Sequence, residues 1–290
     1  MTMAKPESTA NRVPNSISQV GVTMRYTFLD YLRSRRFVIL LGITLIISGL
    51  LTGVVGYYRP AGFTASPLSF FSSWWGLSVT FITVLSGIFF GGDAISGEFQ
   101  NKTGYFTLPN PIRRSSIYIG KWLSAFIAAS IILLIFTAIT LANAAYYFPG
   151  FTIPWQFVES FLFAWFYLVA VLGFTFFFSS LFKSSSYSIL ITAILFLFAF
   201  TLIQTLIAAL AQIEPWFILT YGSQIIGNVL ATTYPLHITT TSGAFGRGGA
   251  EAPTFTSYNV TIPEGLAIIA IYFLATAILG LILFERKEFN

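Results

Sequence analysis

SILITAILFLFAFTLIQTLIAALA, residues 188–211, carries no charged side chain along its whole length. A helix needs about 20 apolar residues to cross a hydrocarbon core about 30 Å thick, so this run is long enough to span a membrane. Five other stretches qualify in the same way: residues 37–57, 74–90, 117–146, 157–178 and 265–284. Irregular backbone cannot face lipid, and runs this continuous are helices, not the alternating strands of a barrel. The chain of 290 residues is 56% hydrophobic and 9% charged, against roughly a quarter charged in soluble domains. The expected fold is therefore all-α and integral to the membrane, with six transmembrane helices. No soluble domain is expected, because the longest stretch between spans is 212–264.

Basic residues that flank spans resist translocation and so fix orientation. If the N-terminus is cytoplasmic, thirteen of the fifteen Lys and Arg lie inside and only Arg59 and Arg247 lie outside. Both termini are expected to be cytoplasmic, in a multi-pass protein of the cell (plasma) membrane. The net charge of +5 is then a topology signal and calls for no nucleic acid. The first apolar run follows a long polar leader without a small-residue cleavage site, so it reads as a retained signal anchor. Residues 1–16 are expected to be a disordered cytoplasmic leader, and 17–290 a single six-span domain.

Within 17–36, Ile17, Val20, Met24, Phe28 and Tyr31 recur at helical spacing, which predicts an amphipathic N-terminal helix at the inner interface. Asn110 is placed to cap the third span, with Pro111 at its first position. The segment 212–264 is expected outside the cell, where its apolar piece 218–230 is too interrupted to span and predicts helices dipping into the outer leaflet. Asn259-Val260-Thr261 is a glycosylation sequon on that side.

The catalytic inventory is thin. The chain has no cysteine and one histidine, His237. Without thiolates or an obvious carboxylate cluster, His237 reads as a loop residue and no metal site is expected. There is no phosphate-binding loop: Gly120-Lys121 runs into Trp122. No span places a charge near its centre, where proton-coupled transporters and voltage sensors need one. Thr80, Thr83, Ser86 and Gly87 share a face of the second span, and Thr201, Gln204 and Thr205 form a polar patch on the fifth. Both patches are candidates for lining a pathway, and the first also suits helix packing. The Gly49/Gly53 and Gly87/Gly91 pairs have the spacing of close helix approach. The aromatics between Trp165 and Phe178 read mostly as lipid contacts.

The loop between spans two and three, GGDAISGEFQNKTGYF at residues 91–106, is too rich for a connector. Ile95, Phe99, Lys102 or Thr103, and Phe106 are spaced as one helical face. Asp93 is placed to cap that helix, Gly97 and Gly104 weaken it, and Glu98 reads as an exposed carboxylate, so that Glu98→Arg should leave the fold intact. The segment looks like a docking element for a cytoplasmic partner.

Asp93-Ala94-Ile95-Ser96-Gly97-Glu98, then Lys102-Thr103-Gly104, Leu108-Pro109-Asn110-Pro111-Ile112-Arg113-Arg114 and Gly120-Lys121 resemble the loop of ABC (ATP-binding-cassette) transporter permeases of the type-2 exporter family. The six spans, the leading amphipathic helix and the long last outer segment agree. The resemblance implies an ATP-driven exporter: two permease chains, identical or not, with two cytoplasmic ATP-binding subunits that carry ATP and Mg. This chain would bind no cofactor and would be no enzyme by itself. The coupling loop, 91–116, would place Glu98 in a polar contact with the ATPase, Ile95 and Phe99 against its groove or the permease's own helices, and Lys102 and Asp93 beside them. Spans two and five would face the partner permease and line the pathway. A membrane scaffold that recruits an ATPase without transporting anything is the alternative.

Overall fold

The computed structural model describes residues 15–102, 113–242 and 254–287. In chain order its helices are α1 (Ser16–Arg33), α2 (Arg35–Tyr58), α3 (Ala61–Thr64), α4 (Pro67–Gly91), α5 (Ser96–Gln100), α6 (Arg114–Tyr147), α7 (Trp155–Leu181), α8 (Ser185–Ala211), α9 (Leu219–Gly222), α10 (Ile225–Asn228) and α11 (Ile262–Arg286). Six of them, α2, α4, α6, α7, α8 and α11, are long and apolar enough to cross a membrane, in an all-α membrane fold. An antiparallel hairpin, β1 (Ile238–Ser242) with β2 (Thr254–Tyr258), pairs Ile238 with Tyr258. The bundle thus has two ends: a terminal face, with α1, α5 and the end of α11, and a hairpin face with α9, α10 and the strands.

Local chemistry sets the boundaries. Ser34 is extended; its hydroxyl donates to the Tyr31 carbonyl at 2.7 Å and accepts from the Phe37 amide at 3.3 Å. The chain therefore breaks between α1 and α2, and Arg35 and Arg36 open the first span instead of ending the amphipathic helix. Ser66 and Ser69 form a capping box around Pro67 at the start of α4, and Thr261 and Glu264 form another at α11. α6 begins at Arg114 with Arg113 at its cap position; Asn110 and Pro111 lie outside the described residues, as do residues 1–14. Arg114 reaches across to the carbonyls of Glu285 and Lys287, at 2.8 and 2.9 Å, and so satisfies the C-terminal end of α11.

α1 packs along α6, where the Ser124 hydroxyl donates to the Met24 carbonyl at 2.8 Å. Its inner face holds Gln19, Val20, Met24, Phe28 and Tyr31, close to the expected stripe, but Ile17 is 79% exposed. α4 is the most enclosed span and touches α2, α6, α7 and α8. Trp75 stacks on Phe136 with centroids 5.5 Å apart, and its indole donates to Ser160 at 2.9 Å. Tyr167, Phe174 and Phe176, expected at the lipid, are buried instead: Phe174 meets Phe196 and Phe200 of α8 edge-on, and Phe176 meets Tyr118.

Close approach is used where α4 crosses α7. A Cβ on Gly87 would strike Val171, and one on Gly91 would strike the Thr175 hydroxyl. Gly49 and Gly53, by contrast, have nothing within 4 Å in this chain. Gly91→Ala is expected to destabilise the bundle by about 1–3 kcal/mol through overpacking, read as a lower unfolding midpoint in detergent, whereas Gly53→Ala should leave it unchanged.

Residues 218–230 pack against the protein's own helices. Ile218, Leu219, Ile225, Ile226 and Leu230 are buried against the tops of α4, α7 and α11. Ser160 donates to the Ile226 carbonyl at 2.5 Å, which satisfies backbone that lipid could not. This polar backbone needs protein partners, and the segment forms a plug in the hairpin end.

Candidate functional site

The loop after α4 was singled out by its sequence, and its geometry ties it to the rest of the terminal face. α4 stops at Gly91, four residues turn, and α5 runs for only five residues before Lys102 adopts a left-handed conformation at φ 55°. Lys102 therefore leaves the helix and does not extend its apolar face. Thr103, Gly104 and Phe106 lie outside the described residues.

Asp93 does not cap α5. Its carboxylate pairs with Arg36 at the start of α2, while its carbonyl accepts from Gly97 at 2.8 Å. The amide groups that open α5 are satisfied from α7: the Ser179 hydroxyl accepts from Ile95 N at 2.9 Å and from Ser96 N at 3.0 Å. Ile95 is fully enclosed in the chain's own core. Gln100 accepts from Ser185 N at 2.7 Å, at the start of α8. Tyr31 of α1 donates to the Phe90 carbonyl at 2.9 Å, and burial pushes its phenol well above the usual range, so the hydroxyl stays a donor.

Glu98 is not exposed. Its carboxylate meets Lys121 of α6 at 2.6 Å, with side-chain exposures of only 12% and 14%. Lys121 also donates to the Ala94 carbonyl at 2.8 Å. The expectation that Glu98→Arg would leave the fold intact is therefore corrected, because it would set a cation beside Lys121 in a mostly desolvated place. The signs alternate, with Arg36 against Asp93 and Lys121 against Glu98. All four line a cleft of about 540 Å³ that also reaches Asp30 and Asn101.

The last tie is Lys287, just beyond α11. Its ammonium donates to the carbonyls of Ser180 and Phe182, at 2.8 and 2.7 Å, and lies 4.3 Å from the centre of the Phe99 ring. Burial, with some repulsion from Lys183, pushes this lysine down to about 8 from its usual 10.5. The folded chain thus holds the proton less tightly than the unfolded chain, so this group makes stability rise as pH climbs from about 8 towards 10.5. Lys287→Met is expected to flatten that part of the unfolding midpoint against pH.

Of the five residues named from sequence, only Lys102 is exposed; with Gln100 and Asn101 it forms the tip of the loop. Sequence reasoning missed Arg36, Lys121, Ser179 and Lys287. A lysine inside an apolar helix is itself a signal that a carboxylate faces it, and Lys121 offered that signal.

The pathway candidates fall in two places. Thr83 and Ser86 are buried in α4, and their hydroxyls donate to the carbonyls of Val79 and Ile82, each at 2.8 Å; Thr80 is half-buried beside them. Thr201 and Thr205 are exposed on α8, and Gln204 accepts from Thr220 at 3.2 Å. That patch sits on the α-helical turns Phe200–Leu206, between π-helical turns at Leu195–Ala199 and Ile207–Ala211. Asn259 closes β2, where its side-chain amide donates to the Leu236 carbonyl at 2.8 Å and to the Thr239 hydroxyl at 3.4 Å; a sugar on that nitrogen would replace one of its two hydrogens and leave one of these bonds.

The family model described as ABC-2 family transporter protein matches residues 15–289. The chain belongs to this family. It is a membrane-embedded ABC transporter permease, and the match spans every helix from α1 to α11. No curated protein matches the chain.

Proposed function

We propose that this permease is the membrane half of an ATP-driven exporter, and that the loop at 92–102 is the lever on which a separate cytoplasmic ATP-binding subunit acts. The terminal face is then cytoplasmic, a reading supported by the distribution of basic residues, and the membrane is the cell membrane. ATP and Mg belong to the partner, and this chain carries no catalytic group of its own. A second permease chain completes the transporter.

The observation that supports the reading is that one short loop is joined to α2, α6, α7 and α8 by ion pairs and hydrogen bonds and to the end of α11 by Lys287 over the Phe99 ring, while Tyr31 of α1 holds the last turn of α4 just before it. A connector needs no such ties. A push on the loop would reach the spans as a rigid displacement, which is how small contacts bias a two-state bundle. The ATPase is proposed to meet the exposed tip, Gln100, Asn101 and Lys102, together with the edge of Phe99, while Asp93, Ile95 and Glu98 hold the lever to the permease. Thr201, Gln204 and Thr205 remain the proposed pathway side chains on α8, with Thr80, Thr83 and Ser86 behind them on α4.

Purification of the tagged chain from its native membrane, with mass spectrometry and an ATPase assay, tests this. A stoichiometric ATP-binding subunit that is lost in Asn101→Trp, with the permease itself still monodisperse, is expected. A permease that elutes without ATPase activity would favour the scaffold reading.

A further inference from the structure

The chain's single histidine is not alone. The left-handed turn at Gln212, φ 50°, folds the chain back after α8 and brings Glu214 over the start of α11. Glu264 lies in the first turn of α11, and His237 just precedes β1. One ligand atom from each of Glu214, His237 and Glu264 lies within 4.8 Å of the other two. These residues are remote in sequence, so the cluster is invisible until the hairpin end is assembled.

Each of the three is held from outside the cluster. His237 Nδ1 lies 2.9 Å from the Asn259 carbonyl, which only accepts, so Nδ1 carries the proton and Nε2 faces the carboxylates. Glu214 Oε1 accepts from the Tyr221 hydroxyl at 2.6 Å, leaving Oε2 to face His237 Nε2 at 3.3 Å. Glu264 Oε2 accepts from Thr261 N and Oγ1, at 3.3 and 3.4 Å. Outer partners that fix the tautomer of a histidine and the rotamer of a carboxylate are the usual support of a metal centre.

We propose that Glu214, His237 and Glu264 bind a divalent transition-metal ion of the zinc class, which clips the segment after α8 onto the start of α11. The charge argument is direct: two carboxylates crowd one imidazole, and a dication balances them. The geometry agrees, because ligand atoms on a tetrahedral ion with bonds of about 2.0–2.1 Å lie about 3.3 Å apart. His237 and Glu214 already have that separation. Imidazole with carboxylates, and no thiolate, suits zinc over copper(I) or iron–sulfur chemistry. Three protein ligands leave the fourth position to water, on the side where His237 is 41% exposed.

The test uses the full-length chain in detergent, stripped with a chelator and titrated with Zn²⁺ alone, then with Co²⁺ for its visible spectrum. One Zn²⁺ per chain, a tetrahedral Co²⁺ spectrum and a raised unfolding midpoint are expected. His237→Ala should weaken binding more than about tenfold, and Glu214→Gln, which keeps shape and the Tyr221 contact, should do the same. Zn²⁺ bound equally by the wild-type chain and both variants would overturn the proposal. So would a wild-type chain that retains no Zn²⁺ and shows stability set by pH alone, since the cluster would then hold protons and no metal. Neither readout depends on ATP or transport, so failure here leaves the proposed function untouched.

Discussion

Glu98→Lys is expected to cut the yield of folded permease and lower its unfolding midpoint sharply, and adding Lys121→Glu is expected to recover most of the loss. The two side chains meet at 2.6 Å with little solvent access, so breaking the pair strands a charge that water can barely reach. Such a break costs roughly 3–5 kcal/mol, far more than an exposed pair on the surface would lose. Recovery should be incomplete, because Lys121 also donates to the Ala94 carbonyl and a glutamate there cannot. Independent losses that simply add in the double variant would mean the two residues are not coupled in the folded chain.

Ser179→Ala is expected to loosen α5 from α7. Its hydroxyl is the acceptor for both Ile95 N and Ser96 N, and all three residues are fully buried. Two amides left without an acceptor cost about 1–3 kcal/mol each. Amide exchange across residues 95–96 should accelerate strongly while the middle of α7 stays protected. Ser179→Thr, which keeps the hydroxyl, should restore protection; acceleration in that variant too would mean the hydroxyl is not the joint.

The spans were legible because length and hydropathy decide membrane insertion one segment at a time. Residues 188–211 are apolar wherever they are placed, and α8 follows them to within a few residues. Partners are a different kind of information. Arg36 and Asp93, or Glu98 and Lys121, are joined only when α2, α4 and α6 stand side by side, and a single sequence records no such adjacency. The same holds for His237, whose carboxylates arrive from either side of the last hairpin-face segment. The reading of Glu98 as exposed fails because a charged residue on a short loop is ordinarily solvated, and here a lysine about two turns into a span changes its environment. In residues 218–230 a large part of the hydrophobicity is used against the protein's own helices, a packing that hydropathy alone does not record.

The most direct test of the lever is made easy by composition. The chain has no cysteine, so Lys102→Cys creates its only thiol, at the exposed tip of the loop. A short thiol-to-amine cross-linker applied to native membranes, followed by mass spectrometry, reads what stands beside that residue. An ATP-binding subunit is expected with Lys102→Cys and not with Thr232→Cys, which is exposed on the hairpin face. Capture of that subunit at Thr232→Cys, or its absence at Lys102→Cys, would contradict the assignment of the 92–102 loop as the point where ATP hydrolysis meets the membrane.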